Sequence, residues 1–492
     1  MHRNPKHLPA LRFGAQVQVS EIRNRVGDAT LTLVETATKT ADTLKGFTRE
    51  SLEALIASRD EPAWVRDRRL EAWRVLIETP YPTTSDEPWR RTDVKALPIS
   101  EFSPVGRGDP ARSVSPAKGG LSRSGSPTLR GVPADWKRAQ KSDDISGALL
   151  AVDGAVAGHV AADGLESSGV IFTDMDTALR EHGDLIEPYF LTEAVRPSDD
   201  YFAALHGAFW QGGTFLHVPR GVEVKLPLRS FTWLSRRDVS APHTLVVMEP
   251  GSRAVLIDEY ASARAGGPAF NVGAVELILK DGSQLDYVGI QDWGRGVWNF
   301  TNERALVRRD ATLHWIASGL GSRLTKTFLD ARLIGQGATA LLSGVFFADG
   351  TQHLDLDTEQ NHLAPSTKSD LLYKGALKDS ARTVWQGMIR VAQEAPKTDG
   401  YQANRNLLLS DNARADSIPG LEILTDDVRC THGSTVSRID EEEVFYLMSR
   451  GISRLDSETL LANAFFTPVL DRIPLASVRE RLKKEIAKKM KA

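Results

Sequence analysis

Between about residues 212 and 436 the chain returns to one small signature at near-regular intervals. Gly251-Ser, Gly282-Ser, Asp310-Ala and Gly337-Ala follow one another at spacings of 31, 28 and 27 residues. A glycine or aspartate followed by a small residue is turn chemistry. Between the turns lie short runs rich in aliphatic and β-branched residues, at 244–248, 275–279, 305–307, 313–317 and 341–347. No long helical pattern separates them. Strands at a fixed period of this length predict a solenoid, in which each coil buries its apolar face on the next. A β-sandwich is the main alternative from pattern alone. An open-ended stack also exposes strand edges, which must be capped or paired with a partner.

The flanks read differently. Residues 48–78 predict a helix, with Asp60-Glu61-Pro62 as an acidic, proline-bearing start and Val65, Leu70, Trp73, Leu76 and Ile77 as its apolar stripe. Pro80 and Pro82 end it. Residues 1–102 thus form an N-terminal, largely helical region. Residues 103–147 are rich in Gly, Pro and Ser with an excess of Arg and Lys, and predict a flexible basic insertion. Its Ser-Pro pairs at 103, 115 and 126 leave a regulatory or nucleic-acid arm as the second reading. Residues 148–436 are the strand region, with the solenoid core from about 212.

Residues 437–492 switch to helical period. Asp440 with Glu443 resembles a capping box, and Gly451 a stop. Ser453 or Asp456 can cap the next helix, with Leu460, Leu461, Ala464 and Phe465 on its buried side. After Pro474, Val478, Leu482, Ile486 and Met490 form a stripe. Arg479, Arg481, Lys483, Lys484, Lys488 and Lys489 then read as a solvated face.

The 492 residues hold a single cysteine, Cys430, with His432 two positions on. On a strand the two side chains share a face, about 6–7 Å apart along it. Two ligands are too few for a closed metal site, so an ion there needs ligands from another chain. One cysteine excludes an internal disulfide and a self-contained four-cysteine cluster. A net charge of −3 offers no field for nucleic acid or an anionic membrane. No apolar run approaches membrane-spanning length. Met1-His-Arg-Asn-Pro-Lys-His has no apolar signal core behind it, and Glu21, Asp28 and Glu35 argue against a long transit peptide, which fits a cytoplasmic protein with a plastid left open.

Other chemistry finds little support. No G-x-x-x-x-G-K-[ST] occurs, so the chain should not hydrolyse ATP. Gly335-Gln-Gly337-Ala-Thr-Ala340 is followed by a strand-like run, which removes the helix N-terminus a dinucleotide would need. His353, Asp355, Asp357, Glu359 and His362 are metal-compatible, but read more simply as the polar outer face of a coil. Asp355 and Asp357 would be the carboxylates of a β-helical carbohydrate-active enzyme, were the chain one.

A long ordered pattern changes the weighing. Asn406-Leu-Leu-Leu-Ser410, Pro419-Gly-Leu-Glu-Ile423, Asp426-Asp-Val-Arg-Cys-Thr-His-Gly-Ser-Thr435 and Val444-Phe-Tyr-Leu-Met-Ser-Arg-Gly-Ile452 resemble the SufD branch of the SufB/SufD family. These are non-ATPase subunits of the SUF iron–sulfur cluster assembly machinery. SufB-like chains carry a sulfur-accepting cysteine upstream of the Pro-x-x-Glu segment; here Asp411-Asn-Ala-Arg-Ala-Asp416 has none. The resemblance implies a mainly β protein with a right-handed parallel β-helix, and a scaffold rather than an enzyme. It implies a SufB-like partner paired through the β-helix, and a SufC-like ATPase docked on the C-terminal helices, with Phe445, Tyr446, Leu460, Phe465 and Phe466 as the candidate surface. It places His432 and Cys430 as candidate ligands for iron or a nascent cluster at the subunit interface, with no permanently bound cofactor. A SufB-like or homomeric scaffold is the alternative.

Overall fold

The computed structural model describes residues 46–104, 134–139, 144–162, 164–235, 238–263, 267–473 and 476–491. The stretch before Gly46 and most of the insertion expected at 103–147 lie outside the described residues.

The repeat signature is where the chain turns. Gly251, Gly282 and Gly337 have φ of 71°, 66° and 75°, and Asp310 has φ of 54°. Gly221, Ser366 and Lys397 adopt the same left-handed conformation in their own coils. Each of these residues donates its N–H to the carbonyl just before its counterpart in the next coil. Gly251 bonds Asp281, Gly282 bonds Arg309, Asp310 bonds Gln336, Gly337 bonds Pro365, Ser366 bonds Pro396 and Lys397 bonds Asp427. The turns therefore stack as a ladder. Glycine and aspartate tolerate this backbone at low cost, which makes the ladder visible in the sequence. Ser366 and Lys397 carry no such signal, so the period fades after residue 337.

The coils build two ten-stranded sheets. One begins with the hairpin Gly147–Val152 and Ala155–Ala161, then stacks Leu228–Leu234, Arg253–Ser262, Gln284–Asp292, Thr312–Gly319, Thr339–Ala348, Lys368–Leu377, Thr398–Leu408 and Val428–Arg438. The other stacks Gly213–Val218, His243–Met248, Ala269–Leu279, Val297–Val307, Leu324–Leu333, His353–His362, Arg382–Val391 and Arg414–Ile423. Pairing along both stacks is parallel and in register. Parallel pairing excludes the sandwich and establishes the expected parallel β-solenoid. Among the described strands, the starting hairpin and the pairing of Ile171–Asp174 with Gly213–Val218 are antiparallel, as is the isolated bridge Gln211–Ala241. Leu256, Leu285, Leu313, Leu342 and Leu371 from the first sheet meet Leu277, Ala305 and Ala331 from the second in one buried cluster. Each such leucine stabilises by roughly 1.5–3 kcal/mol.

Residues 48–78 form two helices rather than one, α1 (Arg49–Ala57) and α2 (Ala63–Glu78). Thr48 accepts the Ser51 N–H at 3.2 Å to start α1, and Pro62 caps α2. Pro62 has no N–H to extend α1, so the chain restarts there. Inside the expected insertion, residues 134–139 form α3 (Ala134–Ala139). Trp136 holds it down, with its ring 5.9 Å from Phe231 in an edge contact. Two short helices follow, α4 (Met175–Glu181) and α5 (Gly183–Ile186), then α6 (Tyr201–Phe209), which is buried along its whole length. It sits between α1 and α2 and the outer face of the second sheet, where Phe270, Phe300 and Trp298 pack with Phe47, Leu76 and Trp89.

Three C-terminal helices follow, α7 (Glu441–Ser449), α8 (Arg454–Leu470) and α9 (Ala476–Lys491); α8 and α9 cover the outer face of the first sheet, and α7 packs on α8. Asp440 caps α7 and Ser453 caps α8. The stripe Val478, Leu482, Ile486 and Met490 is buried as expected, against Ile257, Ile316, Val345 and Phe347. Two expectations need correction. The buried side of α8 is Ala462, Phe466, Val469 and Leu470, so Leu460 and Ala464 face outward. The basic face of α9 is not uniformly solvated either. Arg481 pairs with Glu259, beside Arg229, and Lys489 is half-buried against Asp349.

Candidate functional site

The last coil leaves the solenoid open. Val428–Arg438 is the terminal strand of its sheet and pairs only with Thr398–Leu408; Arg414–Ile423 is the terminal strand of the other. The C-terminal helices pack on the side of the stack, not over this end. Every residue from Thr431 to Arg438 is exposed, and exposed apolar side chains surround them: Leu421, Ile423, Val436 and Leu424, the last 63% exposed.

Cys430 and His432 stand on this strand. Their register partners are Gly400 and Gln402. A Cβ at Gly400 would lie 3.2 Å from Cys430 Sγ, so the thiol points inward over the glycine. There it packs with Ile389, Val391, Ala395 and Val428. Burial pushes the Cys430 thiol up, and the nearby Asp399 adds to the effect, against a backbone hydrogen bond at Gly400. Arg429 points the other way and pairs with Asp399 at 2.6 Å. The strand thus keeps the expected alternation: Val428, Cys430 and His432 share the inner face, and His432 is exposed because no further coil covers it. Among the described residues no group of three or more His, Cys, Asp or Glu side chains could hold a metal ion. Cys430 and His432 are therefore two metal-compatible side chains on an open edge, too few by themselves to enclose an ion.

From His432 onward the interior beneath the strand turns polar. Gln402, Asn404 and Asn406 line it and are buried. Gln402 Nε2 donates to Gly420 O at 2.9 Å, and Asn406 Nδ2 donates to Asn404 Oδ1 at 2.6 Å and Ser417 Oγ at 3.0 Å. This row was not anticipated. Its signal in the sequence is the period-2 alternation of Gln402, Asn404 and Asn406.

The apolar surface of the C-terminal helices is smaller than expected. Phe445 and Tyr446 are 74% and 57% exposed and Leu460 is 50% exposed, with Met448 and Leu455 beside them in the same exposed class. Phe465 is half-buried, its ring 4.7 Å from Lys374 Nζ. Phe466 is fully buried in the helix–sheet core and does not belong to the surface.

The acidic group at 353–362 is bound up in structure. Lys326 Nζ, itself buried, lies 3.0 Å from Asp355 and 2.9 Å from Asp357, and donates to Pro88 O at 2.6 Å. Thr92 bonds both Asp355 and His353. These groups latch residues 88–92 onto the second sheet. They do not form the open carboxylate pair of a glycosidase, and His362 is spent on Thr367 and Ser369.

The description "SUF system FeS cluster assembly, SufBD core domain" belongs to a family model that matches residues 231–465. A second model, "SufBD protein N-terminal region", matches residues 146–229. Together they cover more than half of the chain. The chain is similar to the iron–sulfur cluster assembly protein SufB of Bacillus subtilis, 27% identical over 446 residues, 88% of this chain and 90% of that protein. Iron–sulfur cluster assembly SufBD family proteins of Staphylococcus haemolyticus and Staphylococcus epidermidis are each 26% identical over 440 residues, 88% of this chain and 90% of theirs. No helix among the described residues is long and apolar enough to cross a membrane.

Proposed function

Because the chain belongs to the SufBD family of iron–sulfur cluster assembly proteins, we propose that it is the SufD-like, non-catalytic subunit of a cytoplasmic assembly scaffold. Its open solenoid end pairs with a SufB-like subunit. The exposed patch of Phe445, Tyr446 and Leu460 receives a SufC-like ATPase, whose turnover rearranges the interface. His432, with Cys430, helps to hold iron or a forming cluster as cargo between the two subunits.

One observation carries this reading: two soft-to-borderline side chains stand on the terminal strand, whose outer edge has no further strand, and the described residues add no third or fourth to them. A neutral imidazole ligates iron directly. The thiol, held protonated by its apolar surroundings, becomes a ligand when the metal displaces its proton. The remaining ligands must come from the subunit that covers the edge.

The likeness to the Bacillus subtilis protein named SufB supports a second reading, in which the chain itself accepts sulfur. Its only cysteine is Cys430, and residues 411–416 contain none, which favours the SufD-like role. Co-expression of the tagged chain with the SufB-like and SufC-like proteins of its host separates the two. Recovery of one complex with both partners supports the proposal. Elution alone or as a self-pair overturns it, and persulfide on Cys430 after exposure to a sulfur donor would favour the second reading.

A further inference from the structure

The solenoid encloses a cavity of about 80 Å³ between the two sheets, and neither Cys430 nor His432 lines it. Three glycines keep that room open. Gly273, Gly289 and Gly319 stand in strands, line the cavity and have no positive φ. A Cβ would meet its nearest atom at 3.5 Å on Gly273, at 3.5 Å on Gly289 and at 3.6 Å on Gly319, all ordinary contacts. Alanine therefore fits at each, and in a strand it is favoured over glycine by about 0.5–1 kcal/mol. Gly344, which lines the same cavity, is different: a Cβ there would lie 2.4 Å from the Tyr373 ring, so packing alone requires it. A strand glycine that packing does not require marks a place where another group approaches closely.

Much of the wall is apolar, built from side chains such as Val275, Leu329, Leu354 and Phe346. Most of its polar groups are already paired. Thr301 and Thr327 bond each other at 2.9 Å. Asn299 Oδ1 accepts from Asn271 Nδ2 at 2.7 Å and from Trp293 Nε1 at 3.1 Å, and its Nδ2 donates to Thr325 at 3.3 Å. Two groups stand out. Asn271, 1% exposed, has its Oδ1 without a partner. Glu303 is hydrogen-bonded to Thr301 and has no cation beside it. Burial pushes the Glu303 carboxyl up to about 7, with Asp258 adding to the effect and the Thr301 hydroxyl opposing it. The volume has room for about five to eight waters, but each buried water needs about 2–4 polar partners, more than this wall offers. A charged occupant fits no better. No Lys, Arg or His lines the cavity to meet an anion, and a cation would face one carboxyl among apolar walls.

We propose that this cavity binds a small uncharged organic molecule of about five non-hydrogen atoms, with an apolar body and one hydroxyl or amide group. Gly273, Gly289 and Gly319 form the cradle of the apolar body, and the polar group hydrogen-bonds to Glu303. Room remains for a water on Asn271 Oδ1. The site belongs to the solenoid core and does not depend on the role proposed for the terminal strand.

The test uses the dialysed full-length protein and tert-butanol as probe, with tetramethylammonium as a charged molecule of nearly the same size and shape. Binding is read by saturation-transfer NMR on the probe. Wild type gives a saturable signal with tert-butanol and none with tetramethylammonium. The double variant G289A/G319A fills the cradle and loses the signal, while its melting midpoint stays at or above that of wild type, as replacing unstrained glycines predicts. Should the double variant melt well below wild type, the single variants G289A and G319A decide. E303L removes the polar contact and weakens tert-butanol binding several-fold. No saturable signal with wild type overturns the proposal. A signal that persists at full strength in the filled variants places the probe elsewhere and overturns it, as does equal binding of tetramethylammonium.

Discussion

His243 Nε2 lies 2.9 Å from Glu276 Oε2, with both side chains fully buried. The hydrogen-bond chain they belong to fixes where the protons sit. His206 Nδ1 faces Val272 O at 2.9 Å, so it carries a proton. His206 Nε2 then accepts, and its partner at 3.0 Å, His243 Nδ1, must donate. With one proton on His243, its Nε2 is bare and Glu276 must donate in turn. Glu276 also accepts the N–H groups of Leu191 and Val195, each at 2.9 Å. Burial pushes the Glu276 carboxyl up to about 8, against those two N–H donors and the more distant Arg68 and Arg304. Burial likewise pushes His243 down to about 3 and His206 well down, with Arg69 a further cation near His206.

A protonated Glu276 makes stability fall on the alkaline side. Its folded pKa lies above the ordinary 4.5, so its contribution is complete below 4.5 and is lost as pH rises through about 8. The depressed His243 acts in the opposite direction, favouring the fold above 6.5 and losing that contribution as pH falls toward 3. Thermal melts of wild type and Glu276→Gln between pH 6 and 9, about the range set by these shifts, should diverge. The wild-type midpoint declines, while the variant starts lower and declines less. Parallel slopes would mean that Glu276 is ionised and paired with a charged His243.

Gly282 sits at φ of 66° with nothing within 4 Å of where a Cβ would be. Gly282→Ala therefore tests backbone conformation without a clash. The left-handed region costs an alanine about 1–2 kcal/mol, and the stacked turn on either side resists relaxation. We expect a loss of about 1 kcal/mol or more by denaturant titration, with an unchanged slope. A neutral substitution would show that the turn ladder does not determine the coil.

Lys489 ties the last turn of α9 to the sheet. Its Nζ lies 2.9 Å from Asp349 Oδ1, and it donates to Leu320 O at 2.5 Å, to Phe347 O and to Gln352 Oε1. Burial pushes its ammonium down to about 8 although Asp349 pulls the other way. Lys489→Met keeps the apolar stem and leaves the Leu320 and Phe347 carbonyls short of a donor, while Asp349 keeps its pair with Arg295. The expected cost is about 1–3 kcal/mol, the range for leaving buried acceptors unsatisfied. Amide exchange across residues 476–491 should rise with it. A loss within experimental error would return Lys489 to the solvated face that its sequence context suggested.

That basic face shows where sequence reading stops. Val478, Leu482, Ile486 and Met490 are legible because burial repeats at helical spacing. The ion pairs of Arg481 and Lys489 are not, since their partners Glu259 and Asp349 lie more than a hundred residues away in other coils. The solenoid was legible for as long as glycine or aspartate filled the left-handed turn, and ceased to be at Ser366 and Lys397. Cys430 and His432 were placed on one strand face correctly, because alternation is local. Their standing at an open end depends on which strand has no further neighbour, and that is a property of the whole stack. The buried face of α8 was misjudged by one or two positions: Leu460-Leu461 and Phe465-Phe466 are adjacent apolar pairs, so spacing alone fits either register.

The two residues of the terminal strand should separate stability from function. His432 is exposed, has no further coil over it and makes none of the hydrogen bonds or ion pairs found among the described side chains. His432→Ala should leave the melting midpoint of the isolated chain unchanged, as surface substitutions outside caps and networks fall within about 0.5 kcal/mol. Cys430 fills space over Gly400 beside Ile389 and Ala395, so Cys430→Ala should cost about 1 kcal/mol by losing a small buried group. In the purified complex the order reverses. His432→Ala should sharply lower the iron and acid-labile sulfide recovered with the scaffold, and Cys430→Ala should lower them less, because its thiol must first give up a proton that its surroundings retain. The partners should still co-purify with both variants, which distinguishes a lost ligand from a lost interface. Full recovery of iron and sulfide with His432→Ala would remove the imidazole from the site and leave the open edge as a pairing surface alone.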